Sequence, residues 1–272
     1  MTSIYVGVCA WRSVEALHQK CVLQLLKTPG IIYDLKDGDA LIDRQRAIVA
    51  TRFLLETKAD VLVTIDSDIL FEPQDVLTIA EQAMSHDIVA GLYVTRSSQR
   101  CIPTSHFMAE QPIVLGTPGL QPIKWAASGF TAYHRRVFEA LAEDLPLCHP
   151  KESWRFYPFY TPFAYEDEEA GMIYLSEDWA LAQRAREKGF GCYLSQSVTV
   201  RHLGMYPYST DDLLRQVPNP NSPMKVTRQR GEGARYVVEI EDPIHNFPEG
   251  PLIPPMMNRA ERRRMEREKV HA

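Results

Sequence analysis

Nowhere does the sequence stay apolar for the roughly 18 residues that a membrane span needs, and Met1 to Ala10 show no basic segment ahead of a long apolar run. The expectation is a cytoplasmic protein with no membrane span. There is no CxxC pair. The five cysteines, Cys9, Cys21, Cys101, Cys148 and Cys192, are odd in number and widely scattered, which argues against a disulfide framework or a zinc knuckle and predicts reduced, buried thiols. No P-loop or glycine-rich phosphate turn occurs, and no internal repeat. Charge of one sign is not in excess: a formal net charge of -5 gives no global attraction to nucleic acid or anionic lipid, so any polyanion contact is local.

What is present is ordinary globular material, 272 residues with 45% hydrophobic and 24% charged side chains, enough for one large α/β domain with an appended tail. Ile4 to Cys9 is a short apolar run, and Val14, Leu17, Cys21, Val22 and Leu25 then recur at helical spacing. Ile31 to Asp34 restarts a strand after Pro29-Gly30, and Leu41 to Thr57 returns to the helical period. Val61 to Ile65 has no polar alternation, as expected of a strand covered on both faces. The first seventy residues thus predict β-α-β-α-β and a mostly parallel sheet flanked by helices.

Pro73 opens a helix to about Met84, and Ile88 to Tyr93 is the next buried strand. From Val94 to Gly129 prolines punctuate a shorter pattern that suits hairpins or loops, and Arg135 to Leu145 reads as a short helix. Pro146 to Gly171 is an aromatic, proline-containing loop, functional or mobile, with Trp154 to Tyr165 suited to stacking on sugars or bases or to forming a lid. A helix follows from Glu177 to Lys188, with Ser176 as N-cap and Gly189 as stop, and then a strand from Cys192 to Val200. The expected organisation is a catalytic domain over 1–215, divided into 1–95 and 96–215, and an irregular extension over 216–272. In that extension only Arg235 to Ile240 looks like a strand, and Arg259 to Lys269 reads as a charged tail helix.

Asp66-Ser67-Asp68 follows directly on an apolar strand, so its carboxylates emerge at the strand's C-terminal edge, where open α/β sheets bind ligands. Two such carboxylates repel unless a cation sits between them, and a hard divalent ion, Mn²⁺ or Mg²⁺, answers that need.

With these residues in view, the chain resembles GT-A glycosyltransferases, particularly those related to glycosyltransferase family 2. The resemblance is carried in order by Arg44 to Leu54, Ala59 to Pro73, Val89 to Arg96, Ala127 to Glu139, Ser176 to Phe190 and Val200 to Gly204, and covers roughly residues 1–205. It departs at Ala47, where many relatives have Asn. The resemblance implies a Rossmann-like nucleotide-sugar-binding half holding the donor and an acceptor half after it. It implies a DxD pair of Asp66 and Asp68, with His202 completing a metal site. It implies Asp178 as the general base beside Glu177, and Arg44, Arg46, Arg96, Gly129 and Trp179 near the nucleotide-sugar or acceptor. The implied reaction is hexosyl transfer from a nucleoside-diphosphate sugar to an acceptor hydroxyl. The donor base and sugar, the stereochemistry and the acceptor (a glycan, a protein, a small molecule or a modified DNA base) stay open. The rivals are a metal-dependent nucleotidyltransferase and an inactive GT-A scaffold that serves as a binding protein, the basic tail docking it on nucleic acid or a complex.

Overall fold

The computed structural model describes residues 2–97, 101–108, 112–168, 170–215, 224–229 and 235–240. The apolar runs and helical periods of the first ninety residues become β1 (Ile4–Cys9), α1 (Ala16–Leu25), β2 (Ile31–Lys36), α2 (Ile42–Glu56), β3 (Val61–Asp66), the two-residue β4 (Ile69–Leu70), α3 (Pro73–His86) and β5 (Ile88–Leu92). β1 runs parallel to both β2 and β3, with Ile4 level with Ile31 and Val61, and Cys9 level with Lys36 and Asp66. The chain is α/β, as expected.

Alternation along the strands sorts the core into two layers. Ile4, Val6 and Val8 of β1 and Val61, Val63 and Ile65 of β3 pack with Val22 and Leu25 of α1 and Val76, Ile79 and Ala80 of α3. Tyr5 and Leu62 point the other way, onto Ala47, Val49, Ala50 and Phe53 of α2. Gly7 lies beneath α2, and a Cβ there would fall 2.2 Å from Val49 Cγ1, so only glycine lets the helix approach.

The remainder is less regular: β6 (His106–Phe107), β7 (Ile113–Leu115), β8 (Leu120–Trp125), β9 (Phe130–His134), α4 (Arg135–Ala142), β10 (Phe163–Asp167), β11 (Gly171–Leu175), α5 (Glu177–Glu187) and β12 (Cys192–Thr199). The main sheet is mixed, ordered β2-β1-β3-β9-β5-β12-β8-β6, with β9 antiparallel to both β3 and β5. Val137, Phe138 and Leu141 of α4 and Leu181 and Ala185 of α5 join the α2 layer. The aromatic stretch after Pro146 is not a free lid, because Phe159 and Tyr160 are fully buried, and it ends in the antiparallel hairpin of β10 and β11.

Beyond β12, β13 (Arg201–Leu203) pairs with both β14 (Pro207–Tyr208) and β4, and a 3-10 helix covers Thr210–Arg215. The expected strand over Arg235 to Ile240 is β16 (Arg235–Ile240). It pairs with β15 (Met224–Gln229), which the sequence pattern missed, and with β7. The tail helix expected over Arg259 to Lys269 lies outside the described residues. All five cysteines are free, and Cys9, Cys101 and Cys192 are buried, while Cys21 and Cys148 are half-buried. No described helix is long and apolar enough to cross a membrane.

Candidate functional site

The parallel register brings the C-terminal ends of β1, β2 and β3 to one edge, and a cavity of about 670 Å³ opens there, beside Asp66, Asp68, Arg96, Asp178, Trp179 and His202. Each arrives by a different local route. Asp66 ends β3, and its N–H donates to the carbonyl of Gly129 (2.9 Å), so β9 fixes the strand end. The turn through Ser67 and Asp68 leads into β4, which pairs antiparallel with β13, opposing Ile69 with His202. The Leu203 N–H donates to the Asp68 carbonyl at 2.7 Å. Two residues far apart in sequence are thereby locked side by side.

His202 Nδ1 lies 2.9 Å from the carbonyl of Val94, and Nε2 lies 3.5 Å from Asp68 Oδ2. A carbonyl only accepts, so Nδ1 carries a proton and, in the neutral ring, Nε2 presents a lone pair to the carboxylate. Two acceptors facing one another call for a proton or a cation between them. Backbone anchoring of one imidazole nitrogen while the other faces a ligand position is the arrangement that orients metal-binding histidines. Tyr93 braces the ring edge-on, with centroids 5.3 Å apart at 88°.

Arg96 completes the cluster, donating through Nη1 to Asp68 Oδ2 at 2.6 Å and to the Leu203 carbonyl at 3.2 Å, with nearly half of its side chain exposed. Burial alone would raise the Asp68 carboxyl, but the hydrogen bond and charge of His202 and the charge of Arg96 prevail and hold it below its ordinary value.

Asp66 is engaged elsewhere. Arg46, only 5% exposed, donates through Nη2 to Asp66 Oδ1 and through Nη1 to Glu177 Oε1, each at 2.7 Å. Burial disfavours the guanidinium charge, yet Asp66, Glu177 and Asp178 around it hold its proton more firmly than in water. Glu177 is shifted upward by burial and by the neighbouring Asp178, with Arg46 opposing. Arg46, expected beside a diphosphate, is thus a buried clasp between β3 and α5. The expected trio of Asp66, Asp68 and His202 is not assembled as a cage, and among the described residues no three His, Cys, Asp or Glu side chains converge in that way. What fits a divalent ion is the pair Asp68 and His202, one carboxylate oxygen and one imidazole nitrogen, with the remaining coordination open to ligand oxygens and water.

Asp178 opens α5 at the positive end of the helix dipole. The Ser176 hydroxyl and the Trp179 N–H both donate to its Oδ1, at 2.7 and 2.8 Å, and Asp178 lines the cavity. Ser176 therefore orients a carboxylate rather than capping the helix. Gly129 does not line the cavity. A Cβ there would lie 2.3 Å from Tyr93 Oη and 2.8 Å from Asp66 Oδ2, so its absence admits those two groups, and its N–H donates to Tyr93 Oη at 3.0 Å.

Arg44 sits apart, chelating Asp39 through Nε (2.6 Å) and Nη2 (2.9 Å) at a second cavity of about 640 Å³ beside Lys36, Trp11 and Trp154. Trp11 borders both cavities. Sequence reasoning missed Trp11, Tyr93 and His106. Tyr93 lies inside the Val89 to Arg96 motif without standing out from it and His106 carries no motif signal, whereas an indole directly after a strand end, as at Trp11, is a usable one.

No protein-family model matches the chain, and neither does any curated protein. Among solved structures it is similar to the crystal structure of A197 from STIV, with 17% identity over 78% of this chain and 92% of that one and a TM-score of 0.49. It is also similar to the crystal structure of S. aureus TarS 1-349, with 13% identity over 71% of this chain and 57% of that one and a TM-score of 0.41.

Proposed function

We propose that the protein transfers a glycosyl group from a nucleoside-diphosphate sugar to an acceptor hydroxyl with the help of a divalent cation. The observation that carries this reading is the convergence of Asp68 and His202, 3.5 Å apart and anchored by backbone, on a cavity that Asp178 also lines. A bound Mn²⁺ or Mg²⁺ supplies charge neutralisation for a leaving diphosphate. Everything else falls to the chain's own side chains.

Arg96, half exposed and bonded to Asp68, places a guanidinium where diphosphate oxygens would accept from it. The nucleoside extends past Trp11 toward the cavity shared with Trp154, where indole faces suit a base. Asp178 holds one carboxylate oxygen with two hydrogen bonds and offers the other to the acceptor proton, which is the geometry a general base needs. Glu177 takes no part in proton transfer, because Arg46 occupies it.

A thermal-shift screen of UDP-, GDP-, ADP- and TDP-sugars, each with and without Mn²⁺, tests the reading. Stabilisation of a ligand-bound native state scales with the logarithm of ligand over Kd, so a shift seen only when metal and one nucleotide-sugar are both present is the expected result. A flat response across the whole panel overturns the reading in favour of an inactive scaffold. Release of pyrophosphate from a nucleoside triphosphate would instead favour nucleotidyl transfer.

A further inference from the structure

The buried stripe of α1 is His18, Val22 and Leu25, at helical spacing. Packing alone would fill the first of these places with another aliphatic side chain. His18 is instead an imidazole with no exposure, set edge-on to Phe71 with ring centroids 5.8 Å apart at 69°. Its Nδ1 lies 2.8 Å from the Ile69 carbonyl, while Nε2 has no hydrogen-bond partner among the described residues. A carbonyl only accepts, so Nδ1 carries the proton. Burial lowers the pKa of the ring against the opposing pull of the Ile69 carbonyl, Asp68 and Asp66, and the neutral form leaves no N–H stranded at Nε2. A buried imidazole is unfavourable unless its hydrogen bonds compensate, and the bond that His18 makes goes to the residue directly after Asp68.

β4 is two residues long and stands at the edge of its sheet, which is ordered β14-β13-β4. Successive carbonyls along a strand point to opposite sides. That of Asp68 accepts from the Leu203 N–H on β13 at 2.7 Å, and that of Ile69 faces the side where, among the described residues, no strand pairs. His18 supplies there the donor that a neighbouring strand would bring. At the start of the same helix the Glu15 N–H reaches the Ser67 carbonyl at 3.3 Å. The carbonyls of Ser67, Asp68 and Ile69 are thus held from two sides, by α1 and by β13. The peptide planes before and after Asp68 fix the direction of its Cα–Cβ bond, and with it the place where the carboxylate meets His202. A site built from one carboxylate oxygen and one imidazole nitrogen tolerates a displacement of only about 0.5 Å.

We propose that His18 is a positioning residue for the cation pair: it stands in for a missing strand beside β4 and keeps the Asp68 carboxylate opposite His202 Nε2. The effect on a cation rests on the glycosyl-transfer reading, whereas the alignment of Asp68 with His202 does not. His18 does not line the main cavity, so it acts only through the backbone of the acidic turn.

Free Mn²⁺ counted by electron paramagnetic resonance, with UDP, GDP, ADP or TDP present, reads the affinity of the site in the full chain. His18→Leu removes the donor and is expected to weaken Mn²⁺ binding about fivefold, the loss of one hydrogen bond. His18→Asn puts an amide nitrogen near the place of Nδ1 and is expected to restore the affinity to within about twofold of wild type. Val22→Ala, on the same buried stripe, lowers the urea midpoint by opening a cavity and is expected to leave the Mn²⁺ affinity unchanged, which separates positioning from stability. Without metal, the ring nitrogens of His202 give a second reading in ¹⁵N spectra, assigned by the loss of their signals in His202→Gln. They are expected to shift in His18→Leu and to stay in place in Val22→Ala. Should His18→Leu fail to fold, His18→Phe keeps a ring without the donor and replaces it in both measurements. Wild-type Mn²⁺ affinity in the donor-less variant overturns the proposal, as does an equal loss of affinity in Val22→Ala. If the wild-type chain binds no Mn²⁺ with any of these diphosphates, the cation reading fails and the His202 signals alone decide: shifted in the donor-less variant, the positioning role stands, and unmoved, it falls.

Discussion

Arg46 donates to Asp66 at 2.7 Å from a side chain that is only 5% exposed, and its other nitrogen reaches Glu177 on α5. The first aspartate of the acidic turn is therefore held by a helix that precedes it, and the second, Asp68, is the one turned to the histidine. One guanidinium thus ties the first carboxylate to α2 and α5, while Arg96 and His202 face the second.

Replacing Arg46 with Met leaves Asp66 and Glu177 half-enclosed, close to Asp178 and without a counter-charge. The expected loss of folding stability is about 3 kcal/mol, read from urea unfolding. Adding Glu177→Gln to Arg46→Met removes one stranded charge and is expected to recover a large share of it. A single-variant loss below about 1 kcal/mol contradicts the clasp.

Asp68→Asn and His202→Gln address the cation pair. Both are expected to fold with near-normal thermal midpoints in buffer and to lose the Mn²⁺-dependent part of the shift produced by a nucleoside diphosphate. Retention of that metal dependence in His202→Gln would show that the imidazole is only a brace for Tyr93.

Asp178→Asn keeps the hydrogen bonds from Ser176 and Trp179 if the amide oxygen takes the place of Oδ1. The expected outcome is an unchanged donor Kd and a turnover number lower by about 10²- to 10⁴-fold. The same experiment on Glu177→Gln is expected to move stability more than turnover, since Arg46 is its partner. Equal turnover losses in the two variants would reverse the roles.

Asp60 supplies a pH test remote from the site. Its carboxylate accepts from the Ser3 N–H at 2.8 Å and the Ser3 hydroxyl at 3.0 Å, tying β3 to the start of β1. The backbone N–H of Ser3 holds the carboxyl below its ordinary value against some burial, helped by the Ser3 hydroxyl, His134 and Arg135. A depressed folded value means stability that is present above the unfolded value of about 3.9 and is lost as pH falls through the folded one. In urea midpoints measured from neutral into acid, Asp60→Asn is expected to start lower and fall less steeply. A parallel acid limb in the two proteins refutes the contribution.

The first five elements were legible because the apolar runs of β1 and β3 and the helical period between them leave little choice, and Ser176 and Gly189 bracket α5, with Gly189 at φ 88°. β9 was not legible as a strand between β3 and β5, because its four buried residues carry no mark of which neighbours they will pair with. The β10–β11 hairpin hid in an aromatic stretch whose acidic turn looked like loop, yet Gly171 at φ 70° closes it. At the site, Asp66, Asp68, Arg96, Asp178, Trp179 and His202 were named from motifs and all line one cavity. The burial of Arg46 was also readable. Val49, Ala50 and Phe53 stand three, four and seven places after it, so it shares the buried stripe of α2.

The insertion of β9 has a consequence for synthesis. A nascent chain that has emerged only through β5 owns β3 and β5, yet they are separated in the finished sheet by a strand not yet translated. Until His134 leaves the ribosome, both strands expose apolar edges that invite pairing with other chains. A fragment ending near residue 95 therefore carries two strand edges without their shared partner, and the end of β3 at Asp66 acquires its shape only when the later half arrives to clamp it.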